Sequence, residues 1–214
     1  RYGNLDIETR AVDISGATRL VLELSTHLVG NKPIRIINQV PNDPLWVCAD
    51  PQRLEQVLYN LVGNAIKYTS EGKIVISATQ VDDNIRVQVV DTGQGIPAEQ
   101  LEHIFEPLIQ AGSDSSRYRQ GAGLGLSISR QLIDLMQGTL YVSSQPMVGT
   151  TFSFTLPIAS TEQIGLASHI EGAHFIAPEN NDLEIIEGSN LPENPDGPLP
   201  VSYTHLRAHE TTDN

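Results

Sequence analysis

Three groups of residues in this chain have the types and the spacing to do chemistry together. In the first, Asp91-Thr92-Gly93-Gln94-Gly95-Ile96, the alternating Ile85, Val87 and Val89 deliver a carboxylate to the end of a strand and two glycines then turn the chain. A buried carboxylate is costly unless it is hydrogen-bonded, so Asp91 requires a partner, either a backbone donor or the amine of a ligand. Gly93 and Gly95 allow positive φ and close backbone approach. The second group, Asn60, Asn64 and Lys67, falls at i, i+4 and i+7 and so shares one helix face. Asparagine is a poor helix former, and two of them one turn apart in mid-helix need a reason. They are either a polar rim beside a packed stripe, or two amides and an ammonium gathered around a hydrated Mg²⁺ and phosphates, which suit hard oxygen ligands. The third, Gly121-Ala122-Gly123-Leu124-Gly125-Leu126, runs straight into a helix. Glycines there leave the first-turn N–H groups free to meet an anion, although such a pattern alone is weak and no βαβ unit supports a dinucleotide fingerprint.

The elements that must hold these groups can be read from periodicity. Residues 4–14 alternate as a half-buried strand; from Ser15, a plausible N-cap, Ala17, Leu20, Val21, Leu24 and Leu28 recur at helical spacing until Gly30. Ile34 to Asn38 and Trp46 to Ala49 read as short strands. Asp50-Pro51 opens a helix to about Tyr68, whose apolar stripe is Leu54, Val57, Leu58, Leu61, Val62 and Ala65. Ile74–Val81 and Ile85–Val90 form a hairpin across Asp82-Asp83-Asn84, and Pro97 starts a short helix ending near Phe105. The stretch from Glu106 to Gln120 has no period, and a loop of that length inside a compact domain is functional or disordered. The helix after it carries Leu124, Ile128, Leu132 and Leu135, and strands Thr139–Ser144 and Thr150–Leu156 close the domain.

Composition narrows the function classes. Of 214 residues, 1–158 hold 12 basic and 16 acidic side chains, net −4, whereas 159–214 hold 1 and 10, net −9. The total of −13 argues against sequence-independent nucleic-acid binding, which depends on Lys and Arg. A single cysteine, Cys48, excludes an internal disulfide and fits a reducing compartment. No apolar run reaches the ~18 residues of a membrane span and no signal peptide is visible. A first residue of Arg rather than Met suggests a piece of a longer protein.

Taken together, Asn60-Leu-Val-Gly-Asn64-Ala-Ile-Lys67-Tyr68, Asp91-Thr-Gly93-Gln-Gly95-Ile96, Phe105-Glu-Pro107 and Gly121-Ala122-Gly123-Leu124-Gly125-Leu126 resemble, in order and spacing, the four boxes of the catalytic ATP-binding domain of sensor histidine kinases. The resemblance covers roughly 5–157. That domain belongs to the ATPase superfamily shared with gyrase, heat-shock protein ninety and MutL. The resemblance implies an α+β fold, a two-layer α/β sandwich of the Bergerat type, with a mixed, mostly antiparallel sheet packed on about three helices. It implies ATP and Mg²⁺ as ligands. Asp91 would accept from the adenine 6-amino group, with Gly93, Gly95 and Ile96 along the base. Asn64 would ligate Mg²⁺, Asn60 would support metal and phosphates, Lys67 would neutralise phosphate charge, and Tyr68 would pack near adenine or ribose. Gly121, Ala122, Gly123, Leu124, Gly125 and Leu126 would cradle the triphosphate. Residues 106–120 would form a lid anchored by Phe105, and Arg117 sits where these kinases commonly carry a basic residue. Tyr118, Arg119 and Gln120 depart from the usual Arg-Tyr-Gly, so no role is carried onto them.

Superfamily members that hydrolyse ATP typically place a Glu one turn before the metal-binding Asn; this chain has Asn60 there, and an amide takes no proton. The expected chemistry is therefore phosphoryl transfer to a histidine on a dimerisation hairpin of the same kinase, with a response regulator or receiver domain downstream. None of His27, His103, His169, His174, His205 and His209 lies in an acidic helical setting of the His-Glu-hydrophobic-Arg-Thr-Pro kind, so the phosphoacceptor is expected upstream. A module that binds nucleotide without kinase activity is the alternative. Residues 1–158 are expected to be the catalytic domain, 159–200 an acidic flexible linker, and 201–214 a non-native or disordered tail. Neither nucleic acid nor membrane is an expected partner of this fragment. Its expected location is cytoplasmic, whatever anchors the full-length protein.

Overall fold

A computed structural model describes residues 6–106 and 124–170. In chain order the elements are β1 (Arg10–Asp13), α1 (Ile14–Val29), β2 (Ile34–Gln39), β3 (Trp46–Ala49), α2 (Pro51–Tyr68), β4 (Gly72–Val81), β5 (Asn84–Asp91), α3 (Ala98–Leu101), α4 (Gly125–Leu135), β6 (Thr139–Gln145), β7 (Gly149–Pro157) and α5 (Thr161–Ile170). β1 and β3 form an antiparallel pair. The other strands form one sheet in the order β2-β4-β5-β7-β6, where β2 joins β4 in parallel and the remaining pairings are antiparallel. The fold is α+β with a mixed, mostly antiparallel sheet, as expected.

Strand alternation builds the core. Ile74, Ile76 and Ala78 of β4, Ile85, Val87 and Val89 of β5, and Phe152, Phe154 and Leu156 of β7 point to one face. There they meet Leu54, Leu58, Leu61 and Ile66 of α2 and Leu132 and Ile133 of α4 in a single cluster. Each fully buried Leu or Ile contributes about 1.5–3 kcal/mol, so the helical face opposite the sheet is fixed, and with it the face α2 turns away from the sheet. α2 is capped at its start by Asp50, whose side chain accepts from Arg53 N (3.1 Å), with Pro51 in the first helical position. At its end the Lys32 ammonium donates to the carbonyls of Ile66 (2.6 Å), Lys67 (3.3 Å) and Thr69 (3.0 Å). A cation suits the negative end of the helix dipole.

Several boundaries differ from expectation. β1 covers only Arg10–Asp13 because its partner β3 has four residues, and α1 is capped by Asp13, which accepts from Ser15 N and Gly16 N. Ser15 is not the cap; its hydroxyl donates to the Pro41 carbonyl at 2.7 Å. The buried residues of α1 are Ile14, Ser15, Ala17, Thr18, Val21, Leu22, Ser25 and Val29, while Leu24 and Leu28 are 53% and 38% exposed. In α4 the buried set is Ser127, Ser129, Leu132 and Ile133, with Leu124 and Leu135 outside. The Pro97 helix is shorter than expected, Ala98–Leu101, and the chain continues as turns to Phe105. Within the stretch read as an acidic linker, Thr161–Ile170 form a helix that packs on β1. It opens with a reciprocal capping box: Gln163 N donates to Ser160 Oγ, and Ser160 N donates to Gln163 Oε1.

Candidate functional site

Asp91 is buried for a reason visible in β5. It follows Ile85, Val87 and Val89 on the inward side of the strand, so the last residue of the apolar row is an acid, 6% exposed. Its cross-strand partner is Thr150, which likewise heads the inward row of β7. The Asp91 carboxylate accepts from Gly93 N at 2.8 Å and from the Thr150 N–H. Desolvation raises its pKa above the ordinary aspartate value, against the lowering effect of those two hydrogen bonds. The fold thus holds an acceptor-rich group at the end of the sheet's central strand at a cost. Thr150 was not singled out from the sequence; its signal is the cross-strand register, which a single strand does not show.

The turn after Asp91 is locked against the end of α2 and the β6–β7 hairpin. A Cβ on Gly93 would collide with the Tyr68 carbonyl, and one on Gly95, at φ +68°, with the Gln145 carbonyl. The close approach these glycines permit is therefore to the chain itself. Gln94 N donates to the Tyr68 carbonyl (3.3 Å), Met147 N to the Gln94 carbonyl (2.8 Å), and Ile96 N to Ser144 Oγ (2.8 Å). Ser144 in turn meets Thr150 Oγ1 at 2.9 Å. Asp91 is thereby tied to the C-terminal end of α2.

From that end a groove of about 360 Å³ runs along α2. One wall is Gln56, Tyr59, Asn60, Gly63, Asn64 and Lys67; α4 supplies Gly125, Ile128 and Ser129 opposite. The three α2 residues chosen by spacing, Asn60, Asn64 and Lys67, thus line one groove together with Gly125. Their environments differ. Asn60 Nδ2 donates to Ser129 Oγ at 2.9 Å, and a Cβ on Gly125 would strike Asn60 Oδ1, so Asn60 also seats α4 against α2. Asn64 makes no such bond among the described residues. Lys67 Nζ lies 5.0 Å from the Tyr68 ring centroid, and Tyr68 is 45% exposed beside it. Ser129 was missed because its pairing with Asn60 spans 69 residues.

Ile96 and Leu126 pack against the core cluster, as does Phe105. The Phe105 ring carries the Arg130 guanidinium at 5.3 Å, a cation–π contact that joins its segment to α4. α4 begins at Gly125 after Leu124, whose side chain makes no cap bond, so the cap residue itself supplies no acceptor to the first-turn N–H groups. Arg117, Gly121, Ala122 and Gly123 lie outside the described residues. His103 is exposed and paired with Glu106 at 2.9 Å, and that carboxylate raises its pKa. His27 is exposed on α1. Neither lines the groove.

Among the described residues no group of three or more His, Cys, Asp or Glu converges on a cation position. The side-chain oxygens that line the groove are the amides of Gln56, Asn60 and Asn64 and the hydroxyls of Tyr59 and Ser129, and Mg²⁺ takes few protein oxygens while keeping water and phosphate oxygens. The donor set fits that ion. A buried acceptor, a turn clamped to a helix end, and a row of amides ending in an ammonium also fit the base, sugar and phosphates of a nucleotide in sequence.

The fold and site define an ATP-binding domain. Residues 49–160 match the histidine kinase-, DNA gyrase B-, and HSP90-like ATPase family, and the chain belongs to that family. It is similar to the sensor histidine kinase RcsC of Escherichia coli, 38% identical over 144 residues, which are 64% of this chain and 15% of RcsC. The catalytic domain of histidine kinase ThkA in a nucleotide-free form superposes with a TM-score of 0.62 at 34% identity, over 71% of this chain and 96% of that one. Full-length ShkA in complex with AMPPNP gives 0.64 at 34% identity, over 73% of this chain and 32% of that one. The chain therefore spans about one seventh of RcsC but nearly all of the ThkA catalytic domain. Among the described residues no helix is long and apolar enough to cross a membrane.

Proposed function

We propose that this chain is the ATP-binding half of a two-component sensor histidine kinase, which passes the γ-phosphoryl group of ATP to a histidine on a dimerisation hairpin. A response regulator or receiver domain then takes it from that histidine. In this reading residues 1–158 are the catalytic domain, 159–200 a linker that begins with α5, and 201–214 a non-native tail, and the domain works on the cytoplasmic side. The observation that carries the reading is a buried Asp91 tied to the C-terminal end of α2, together with a groove whose α2 wall offers amides and an ammonium but no carboxylate. Water activation needs a proton acceptor, and Asn60 cannot be one. Catalysis then comes from positioning and charge neutralisation.

Each residue has a task in this scheme. Asp91 accepts from the adenine 6-amino group, and the Gly93–Ile96 turn, held by Tyr68 and Ser144, fixes the edge the base meets. Lys67 presents a cation to the phosphates from beside Tyr68, and the uncapped first turn of α4 presents N–H groups. Asn64 Oδ1 would hold Mg²⁺, which when bound neutralises charge on the phosphate oxygens. Asn60 fixes the groove's width through Ser129 and Gly125. Arg117 and Gly121 to Gly123 complete the phosphate side on sequence grounds.

The test is to incubate the chain with ATP labelled at the γ-phosphate and a dimerisation-hairpin polypeptide bearing a phosphoacceptor histidine. Acid-labile label on the hairpin is expected, lost when Asn64 is replaced by Ala. Measurable binding of ATP with Mg²⁺ but no label on the hairpin would identify a nucleotide-binding module instead.

A further inference from the structure

The row of polar residues on α2 extends beyond those assigned above. Arg53, Gln56, Asn60, Asn64 and Lys67 stand at i, i+3, i+7, i+11 and i+14, within an arc of about 80° at 100° per residue. The base end of the groove is fixed at the C-terminus of α2, where the Tyr68 carbonyl receives Gln94 N and abuts Gly93. Gln56 lines the same groove at its other end, eleven residues before Lys67 and so about 16 Å along the axis. It lies one turn past Asn60, on the side away from the base.

Gln56 is oriented. Its Oε1 accepts from Arg53 Nη1 at 3.3 Å, which leaves Nε2 as the donor end of the amide, and the side chain lines the groove. The end of the groove where a terminal phosphoryl group would emerge thus presents an amide donor, backed by a guanidinium. Tyr59, 40% exposed, forms the wall beside it. Gln56 is itself exposed and lies outside the core cluster, so packing gives it no task.

Resting on the kinase reading, we propose that Gln56 is a catalytic residue of the transfer step, donating from Nε2 to the γ-phosphoryl oxygens as the acceptor imidazole approaches, and that Arg53 positions it. In that step the lone pair of the unprotonated imidazole nitrogen forms an N–P bond. The bond between the γ-phosphorus and its bridging oxygen breaks, and its electron pair leaves with ADP. The proton on the other ring nitrogen is lost to water, and Gln56 takes none. Its donor meets charge that shifts during transfer rather than charge held in the bound nucleotide, so its loss acts on rate more than on affinity.

The test compares wild type, Gln56→Ala, Gln56→Glu and Arg53→Met in the hairpin-labelling assay at saturating ATP and Mg²⁺, with nucleotide affinities measured by calorimetry. Gln56→Ala is expected to lower kcat about a hundred- to a thousandfold, the range for one lost transition-state donor, while ATP and ADP affinities stay within about twofold. Gln56→Glu should be at least as slow, because it sets a carboxylate against the phosphoryl oxygens. Arg53→Met should lower kcat less, again without a change in affinity. Labelling by Gln56→Ala at the wild-type rate overturns the proposal, and so does a loss of ATP affinity in step with rate. If the wild type binds ATP but labels no hairpin, the kinase reading fails and this one with it, a result distinct from wild-type labelling that survives Gln56→Ala.

Discussion

Replacing Asp91 by Asn separates the function of this acid from its place in the fold. In the ligand-free protein the carboxylate serves the N–H groups of Gly93 and Thr150 and pays a desolvation cost that raises its pKa. An amide has one oxygen for those two donors, so Nδ2 must face either a backbone N–H or the adenine amine. In each arrangement one donor meets another. A hydrogen bond to a charged acceptor is worth about 1.5–3 kcal/mol, and 1.4 kcal/mol is tenfold in Kd. Asp91→Asn is therefore expected to weaken ATP and adenosine alike by about ten- to a hundredfold. Stability should move little or rise, because a buried charge is removed. Isothermal titration gives the first quantity and urea denaturation the second. Unchanged affinity together with a large loss of stability would show that Asp91 serves the fold and would refute the adenine assignment.

The remaining expectations can be checked with the same two methods. Because the folded pKa of Asp91 is raised, its contribution favours the ligand-free fold at pH below the unfolded value of 3.8 and is lost as pH rises through the folded value. Asp91→Asn should remove that part of the acid-side pH dependence of urea midpoints. Nucleotide affinity should fall on acidification before an ordinary aspartate would protonate, and a pH profile of Kd measures this. Gly125→Ala places a methyl group on Asn60 Oδ1, so it should cost about 1–3 kcal/mol and lower ATP affinity, whereas Gly165→Ala, with open space at the Cβ position, should do neither. Lys32→Met leaves the α2 carbonyls without their cation and should destabilise by about 1–3 kcal/mol. Thr18→Val removes a buried hydroxyl that has no hydrogen-bond partner among the described residues and should stabilise by about 1 kcal/mol without changing ATP affinity.

Where periodicity and chemistry agreed, the sequence was readable. The β5 alternation carried Asp91 to the inner face, and the i, i+4, i+7 spacing put Asn60, Asn64 and Lys67 in one groove. Where a side chain takes a distant partner, local pattern misled. Ser15 looked like a cap but bonds to Pro41, and Asp13 caps instead, because that turn also receives Leu45 N. Leu24 and Leu28 looked like core, yet Thr18 and Ser25 occupy the buried face of α1, an arrangement with no periodic signal in an apolar scale. The Lys32 cap on α2 joins residues 34 apart, and the Asn60 contact with Ser129 spans twice that distance; neither has a local signature. The capping box of α5, Ser160-Thr161-Glu162-Gln163, is a local pattern that the acidic composition of the residues beyond it obscures.

In the proposed site Asp91 reads an amine. Calorimetric titration of the chain with ATP and with GTP, each with Mg²⁺, tests this most directly. Adenine presents an amino group at position 6, where guanine presents an oxygen that would face the carboxylate. ATP is expected to bind at least about a hundredfold more tightly than GTP. Equal affinities, or tighter binding of GTP, would contradict it.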